Sequence, residues 1–208
     1  MRLFNTDGPL LSGLNILTDL VVLNLITVLM CLPVFTAGAS LSAMHLLARE
    51  ILNDRESRPV HRFFEAFRER IKTGAAVFLP MLFIALIGFL EAGFLLLREN
   101  RTATVYAYVL IAAVFFAAFL ENTALLLLSY SPAPVRELAA NTLRLAFGRF
   151  PRMLAASFVM LLPFFIILTM PVLIPLFFLA GLTVPAALSA RVYEPVTDSL
   201  GRKESWHP

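Results

Sequence analysis

MLAASFVMLLPFFIILTMPVLIPLFFLAGLTVPAALSA, residues 153–190, runs for 38 positions without one charged side chain. As a single helix it would extend roughly 57 Å, nearly twice a hydrocarbon core of about 30 Å. The run therefore has to fold back on itself. Thr169-Met170-Pro171 is the expected reversal, because proline cannot donate to the helical ladder. That gives spans near 153–169 and 172–190, with Pro163, Pro175 and Pro185 expected to kink the helices without ending them.

Three further apolar stretches lie upstream. Residues 14–35 carry Asn15, Asp19 and Asn24, residues 75–97 carry Glu91, and residues 103–128 carry Glu121 and Asn122. Of the 208 residues 59% are hydrophobic and 15% charged, and the mean hydropathy is +0.82. A soluble chain carries about 25% charged residues and could not hide this much apolar surface. Nucleic-acid readers, disordered tails and disulfide scaffolds are excluded on that arithmetic. The expected fold is an all-α polytopic transmembrane bundle, a single integral membrane domain over 1–208 with the bilayer as its first partner. Cys31 stands alone, so it supplies neither an intramolecular disulfide nor a metal pair. His45, His61 and His207 are scattered and no nucleophile or phosphate-cradling motif appears, so neither enzyme nor cofactor is expected.

Orientation follows the basic residues. Seven of them fall in 49–72 and four in 136–152, whereas the 98–102 link holds Arg98 and Arg101. The two richer loops are expected inside, in a bacterial cytoplasmic (inner) membrane. The net charge of +3 then reflects this loop bias rather than a nucleic-acid partner. Residues 36–52 decide the number of spans. Ser40, Ser42, His45, Arg49 and Glu50 make them a poor crossing segment, so they read as a helix continuing inward after a break at Pro33. Five spans with an outside N-terminus are favoured, and six are the alternative.

Charged groups inside spans cost roughly 2.5–3.5 kcal/mol each on insertion scales, so each asks for a reason. With five spans, Asp19 and Glu91 lie at similar depth and could line an externally open pocket. The plainer reading gives each acid water or one arginine at an interface. Glu91 and Glu121 differ in depth by about 18 Å and are not expected to share a proton or a metal. Asn24 is expected in an interhelical hydrogen bond, and Asn122 is a further polar candidate within its span.

Two loop segments look alike. VHRFFEAFRERIKT, near 60–73, places Phe63, Phe64, Phe67 and Ile71 on one side and most of its charges on the other. VRELAANTLRLAFGRF, near 135–150, repeats the plan with Val135, Leu138, Leu143, Phe147 and Phe150. Both are expected as cytoplasmic amphipathic helices. Arg68, Arg70, Arg144 and Arg149 would then either meet anionic headgroups or dock a cytoplasmic partner.

DLVVLNLITVLMCLPVFTAGASLSAMHLL, followed by HRFFEAFRERIKTGAA, resembles the YesL family of bacterial membrane proteins. The matching positions are Asp19, Leu23, Asn24, Leu32, Pro33, Thr36, Gly38, Ala43, Phe64, Phe67 and Arg70, joined later by Thr142, Ala146 and Pro151. The resemblance implies a protein of largely unknown function that accompanies carbohydrate importers, and it carries no catalytic residues. The expected function is thus an accessory of carbohydrate uptake that contacts subunits of an importer, with a small stand-alone transporter or channel as the alternative. Pro33, Thr36 and Gly38 also form a candidate hinge: proline frees carbonyls, glycine permits a close bend, and Thr36 is placed to cap the next helix.

Overall fold

The computed structural model describes residues 9–53, 58–98, 100–131 and 133–189. They form α1 (Pro9–Cys31), a 3-10 turn (Val34–Thr36), α2 (Ala37–Leu52), α3 (Pro59–Leu96), α4 (Arg101–Tyr130), α5 (Val135–Gly148) and α6 (Phe150–Thr169). A second 3-10 turn (Pro171–Leu173) leads to α7 (Ile174–Ala180) and α8 (Thr183–Ser189). The described residues contain no strand. Gly13–Cys31 of α1, α3, α4 and α6 are each long and apolar enough to cross a membrane. Pro171–Ala180 and α8 add a fifth span if the bent pair counts as one. The architecture is that of a multi-pass membrane protein, and its exposed leucines and phenylalanines, such as Leu29, Leu90, Phe115 and Phe165, present an apolar exterior to lipid.

Two sequence expectations change at this level. The amphipathic segment near 60–73 and the span near 75–97 are one uninterrupted helix of 38 residues. Pro59 opens it at the first turn, where a missing N–H costs nothing, and Pro80 sits inside it without ending it. The aromatic face of 60–73 is divided, with Phe64 exposed and its neighbours turned inward. Phe63 is fully buried and Phe67 nearly so, in a cluster with Leu20 and Leu23 of α1 and Met44 and Leu47 of α2.

The second change concerns residues 36–52. They do not continue the path of α1 but turn back along it. The Ser40 hydroxyl donates to the Thr27 carbonyl at 3.1 Å, and Leu20, Leu23, Ala43, Met44, Leu47 and Ile51 share one core. The α1–α2 hairpin therefore brings the beginning of α1 and the end of α2 to the same end of the bundle. With only 16 residues and nearly all of Ala37–Ala48 buried, α2 is an interior helix held between its neighbours. That is why it tolerates Ser40, Ser42 and His45: these groups face protein, not hydrocarbon.

The 38-residue uncharged run does reverse where expected. α6 ends at Thr169, and the returning chain sets the Phe177 ring 5.6 Å from that of Phe164. The final span then breaks, with a bend of 62°, between Ala180 and Thr183. Pro185, four residues after Gly181, has no N–H for the Gly181 carbonyl and its ring crowds that carbonyl, so it contributes to the break. Gly181 permits it, since a Cβ there would come within 2.7 Å of the Phe177 Cα.

Candidate functional site: a clamped helix break and an acidic cavity

A helix break in a bilayer exposes backbone donors and acceptors that water cannot reach. Here the side chain of Asn24, fully buried on α1, takes up four of those bonds. Its Nδ2 donates to the carbonyl of Phe178 (2.7 Å) and to that of Phe177 (3.0 Å), which also accepts from the Gly181 N–H at 2.8 Å, at the end of α7. Its Oδ1 accepts from the backbone N–H groups of Leu182 (2.9 Å) and Thr183 (3.2 Å) at the start of α8. One turn away, the Thr183 hydroxyl donates to the Leu20 carbonyl at 3.0 Å. An amide has two donors and an acceptor with two lone pairs, so Asn24 is saturated. The interhelical bond expected of this residue is present, and its partner is a broken backbone.

The hinge candidates take other roles. The Thr36 hydroxyl does not cap α2. Its oxygen lies 2.6 Å from the carbonyls of both Met30 and Pro33 and shares its one proton between them, closing the end of α1 and the turn behind it. Pro33 stands at the reversal with extended backbone (φ −75°, ψ 110°). Gly38 is a packing contact: a Cβ there would strike the Gly74 carbonyl, and one on Gly74 would lie 2.5 Å from the Ala39 nitrogen.

Of the four arginines proposed for lipid or partner contact, Arg68 and Arg144 are exposed and Arg149 is half-buried. Arg70 is not on that surface. It is 4% exposed, and its Nε donates to the Leu128 carbonyl of α4 while Nη1 meets the Ala66 carbonyl and Glu69, each at 3.0 Å. Leu128 is in the last turn of α4, where carbonyls lack helical donors and a cation is favoured. Two contacts that spacing did not single out complete this end. The Arg49 guanidinium lies 3.8 Å from the centre of the Tyr130 ring, and Arg62 pairs with Glu50 at 3.3 Å. Nearby on α2, His45 is enclosed with Nδ1 unbonded among the described residues.

The intramembrane acids are not gathered. Asp19 is half-buried beside Leu20, in the α1–α2–α8 core, and it has a partner. Glu91 is exposed on α3, 17 residues and about 25 Å beyond the Gly74 crossing, where α3 packs against Val114 of α4. The shared Asp19–Glu91 pocket has no geometric basis, because the α1–α2 reversal sets Asp19 on the far side of that crossing. Asn122 donates to the Ser157 hydroxyl at 3.0 Å and joins α4 to α6. Glu121 differs from all of these. It borders a cavity of about 290 Å³ between α3, α4 and α5, and its Oε1 is enclosed without a hydrogen-bond partner among the described residues.

Comparison with known proteins adds one finding. Residues 20–92 match the model of DUF624, a family of proteins of unknown function. The match covers about a third of the chain, from the middle of α1 through α2 and most of α3. It takes in Asn24, Thr36, Gly38, Arg70 and Gly74, and thus the hairpin and its crossing with α3. The first of the segments that resemble the YesL family falls almost wholly within it, whereas Thr142, Ala146 and Pro151 lie outside. No curated protein and no solved structure matches the chain.

Proposed function

We propose that this chain is a membrane-embedded accessory protein of bacterial carbohydrate uptake that engages an importer subunit through α5. The observation that carries the reading is the division of α5 into two faces. Leu138, Leu145 and Ala146 are buried, whereas Leu143 and Phe147 remain 48% and 65% exposed beside exposed Arg144. A helix already anchored on one face, with apolar and basic groups on another, suits an apolar groove with an acidic rim. The importer as partner rests on the YesL resemblance.

The polar interior supports an accessory role over a stand-alone transporter. Broken helices in transporters line substrate sites because their backbone groups are free to coordinate. Asn24 consumes four such bonds here, and Asn122 is spent on Ser157. Co-purification from native membranes tests the proposal. A tagged Arg144→Glu/Phe147→Ser chain should insert normally yet lose the importer subunit that the unaltered chain retains. Recovery of no importer subunit with the unaltered chain sinks the reading. Sugar uptake by proteoliposomes holding this chain alone would replace it with the transporter.

A further inference from the structure

The cavity between α3, α4 and α5 has walls of Val77, Met81, Leu120, Leu138 and Leu143, and it is bordered by one carboxyl group, Glu121. Two features of its border accept hydrogen bonds and lack their ordinary donors. Oε1 of Glu121 is enclosed with no partner among the described residues. Pro80, inside α3, has no N–H to offer the carbonyl four residues back, which belongs to Ala76, and both residues line the cavity. The hydroxyl of Thr142, also in the lining, already spends its proton on the Leu138 carbonyl at 2.7 Å. An enclosed carboxyl oxygen, unpartnered among the described residues, and a carbonyl short of its helical donor thus border one apolar space. A lone carboxylate in such surroundings is costly unless a cation or donor pairs with it.

We infer that this cavity binds the primary ammonium group of an amphipathic amine, with Glu121 as counter-ion, the Ala76 carbonyl as second acceptor and the aliphatic walls around the adjoining alkyl chain. The volume stands at the lower end of small-molecule sites, roughly 300–1,000 Å³, and fits a short chain rather than a whole lipid. Sugars are a poorer match because no aromatic face lines the space. A metal is poorer still, since no three His, Cys, Asp or Glu side chains converge among the described residues. Ala76, Pro80, Ala139 and Leu143 are exposed, so the mouth opens between α3 and α5 on the outer surface of the bundle. The amine enters from the side, as a free amphiphile or as the headgroup of an aminophospholipid.

Fluorine NMR of 8,8,8-trifluorooctylamine with the full chain in phosphatidylcholine nanodiscs tests this directly. A saturable protein-bound signal is expected, displaced by n-octylamine but not by n-octanol. Glu121→Gln, which keeps the side-chain volume, should weaken binding at least about tenfold, the worth of one charge-assisted hydrogen bond. Leu143→Trp, which fills the mouth, should abolish the signal, whereas Phe158→Ala, exposed on α6 and outside the lining, should leave it unchanged. If Glu121→Gln fails to fold, the Leu143→Trp and Phe158→Ala pair decides the matter. No saturable signal, equal displacement by n-octanol, or unaltered binding in a folded Glu121→Gln chain overturns the proposal. Loss of the probe signal in phosphatidylethanolamine discs assigns the site to a lipid headgroup, and its persistence assigns it to a free amine.

Discussion

Arg68 and Arg70 look equivalent in a list of basic loop residues, yet they behave as opposites. Arg70 continues the stripe Phe63–Phe67–Arg70–Gly74, at helical spacings of four, three and four, and every member of that stripe is buried. Its phase therefore marked it as an interior residue, and counting charges hid the signal. Arg70→Ala should lower stability by about 1.5–3 kcal/mol, because it removes a charged donor from the Leu128 carbonyl. Arg68→Ala should stay within about 0.5 kcal/mol. Chemical unfolding of the purified chain in detergent distinguishes the two. Asn24 was legible as an interhelical donor, but its target was not, because Pro185, four residues beyond Gly181, announces a kink there without showing which side chain closes it. Asn24→Leu should cost at least about 2 kcal/mol in the same assay, since it orphans the N–H groups of Leu182 and Thr183. Equal stability of the Asn24→Leu chain would mean that the break finds other partners.

Among the elements, the five apolar segments were readable from hydropathy alone, since each needs to be helical in a bilayer whatever its neighbours do. The role of α2 was not. Its serines and histidine argue against contact with lipid, and they are equally compatible with an exit to water and with complete enclosure by other helices. The run Ala37-Gly38-Ala39-Ser40 was the overlooked clue, because small residues let helix backbones approach closely. Gly38→Ala should cost about 1–3 kcal/mol through overpacking against Gly74. Gly93→Ala, on the same α3 but with open space at its Cβ, should be neutral or stabilise by up to about 1 kcal/mol.

At the scale of the whole molecule, the α1–α2 reversal sets the topology. With α2 continuing inward, the start of α1 and the start of α3 would lie on opposite sides of the membrane. With α2 folded back, as the Ser40–Thr27 bond and the shared core require, they lie at the same end. The 38-residue α3 then carries the chain about 57 Å to its other end, where Asn100 starts α4 by accepting from the Thr102 N–H at 3.0 Å. The positive-inside bias of residues 49–72 makes the cytoplasm the expected side of the first end. Single cysteines at Gly13, Arg58 and Asn100, in a Cys31→Ala background, turn this arrangement into an experiment with a membrane-impermeant thiol reagent. In intact cells Asn100→Cys should label, while Gly13→Cys and Arg58→Cys should both label only after permeabilisation. Labelling of Gly13→Cys together with Asn100→Cys, and not with Arg58→Cys, would restore the five-span arrangement with an outside N-terminus. That outcome would also require the α1–α2 core to come apart in the membrane, because Leu23, Met44 and Leu47, each fully buried, would lose the packing that encloses them.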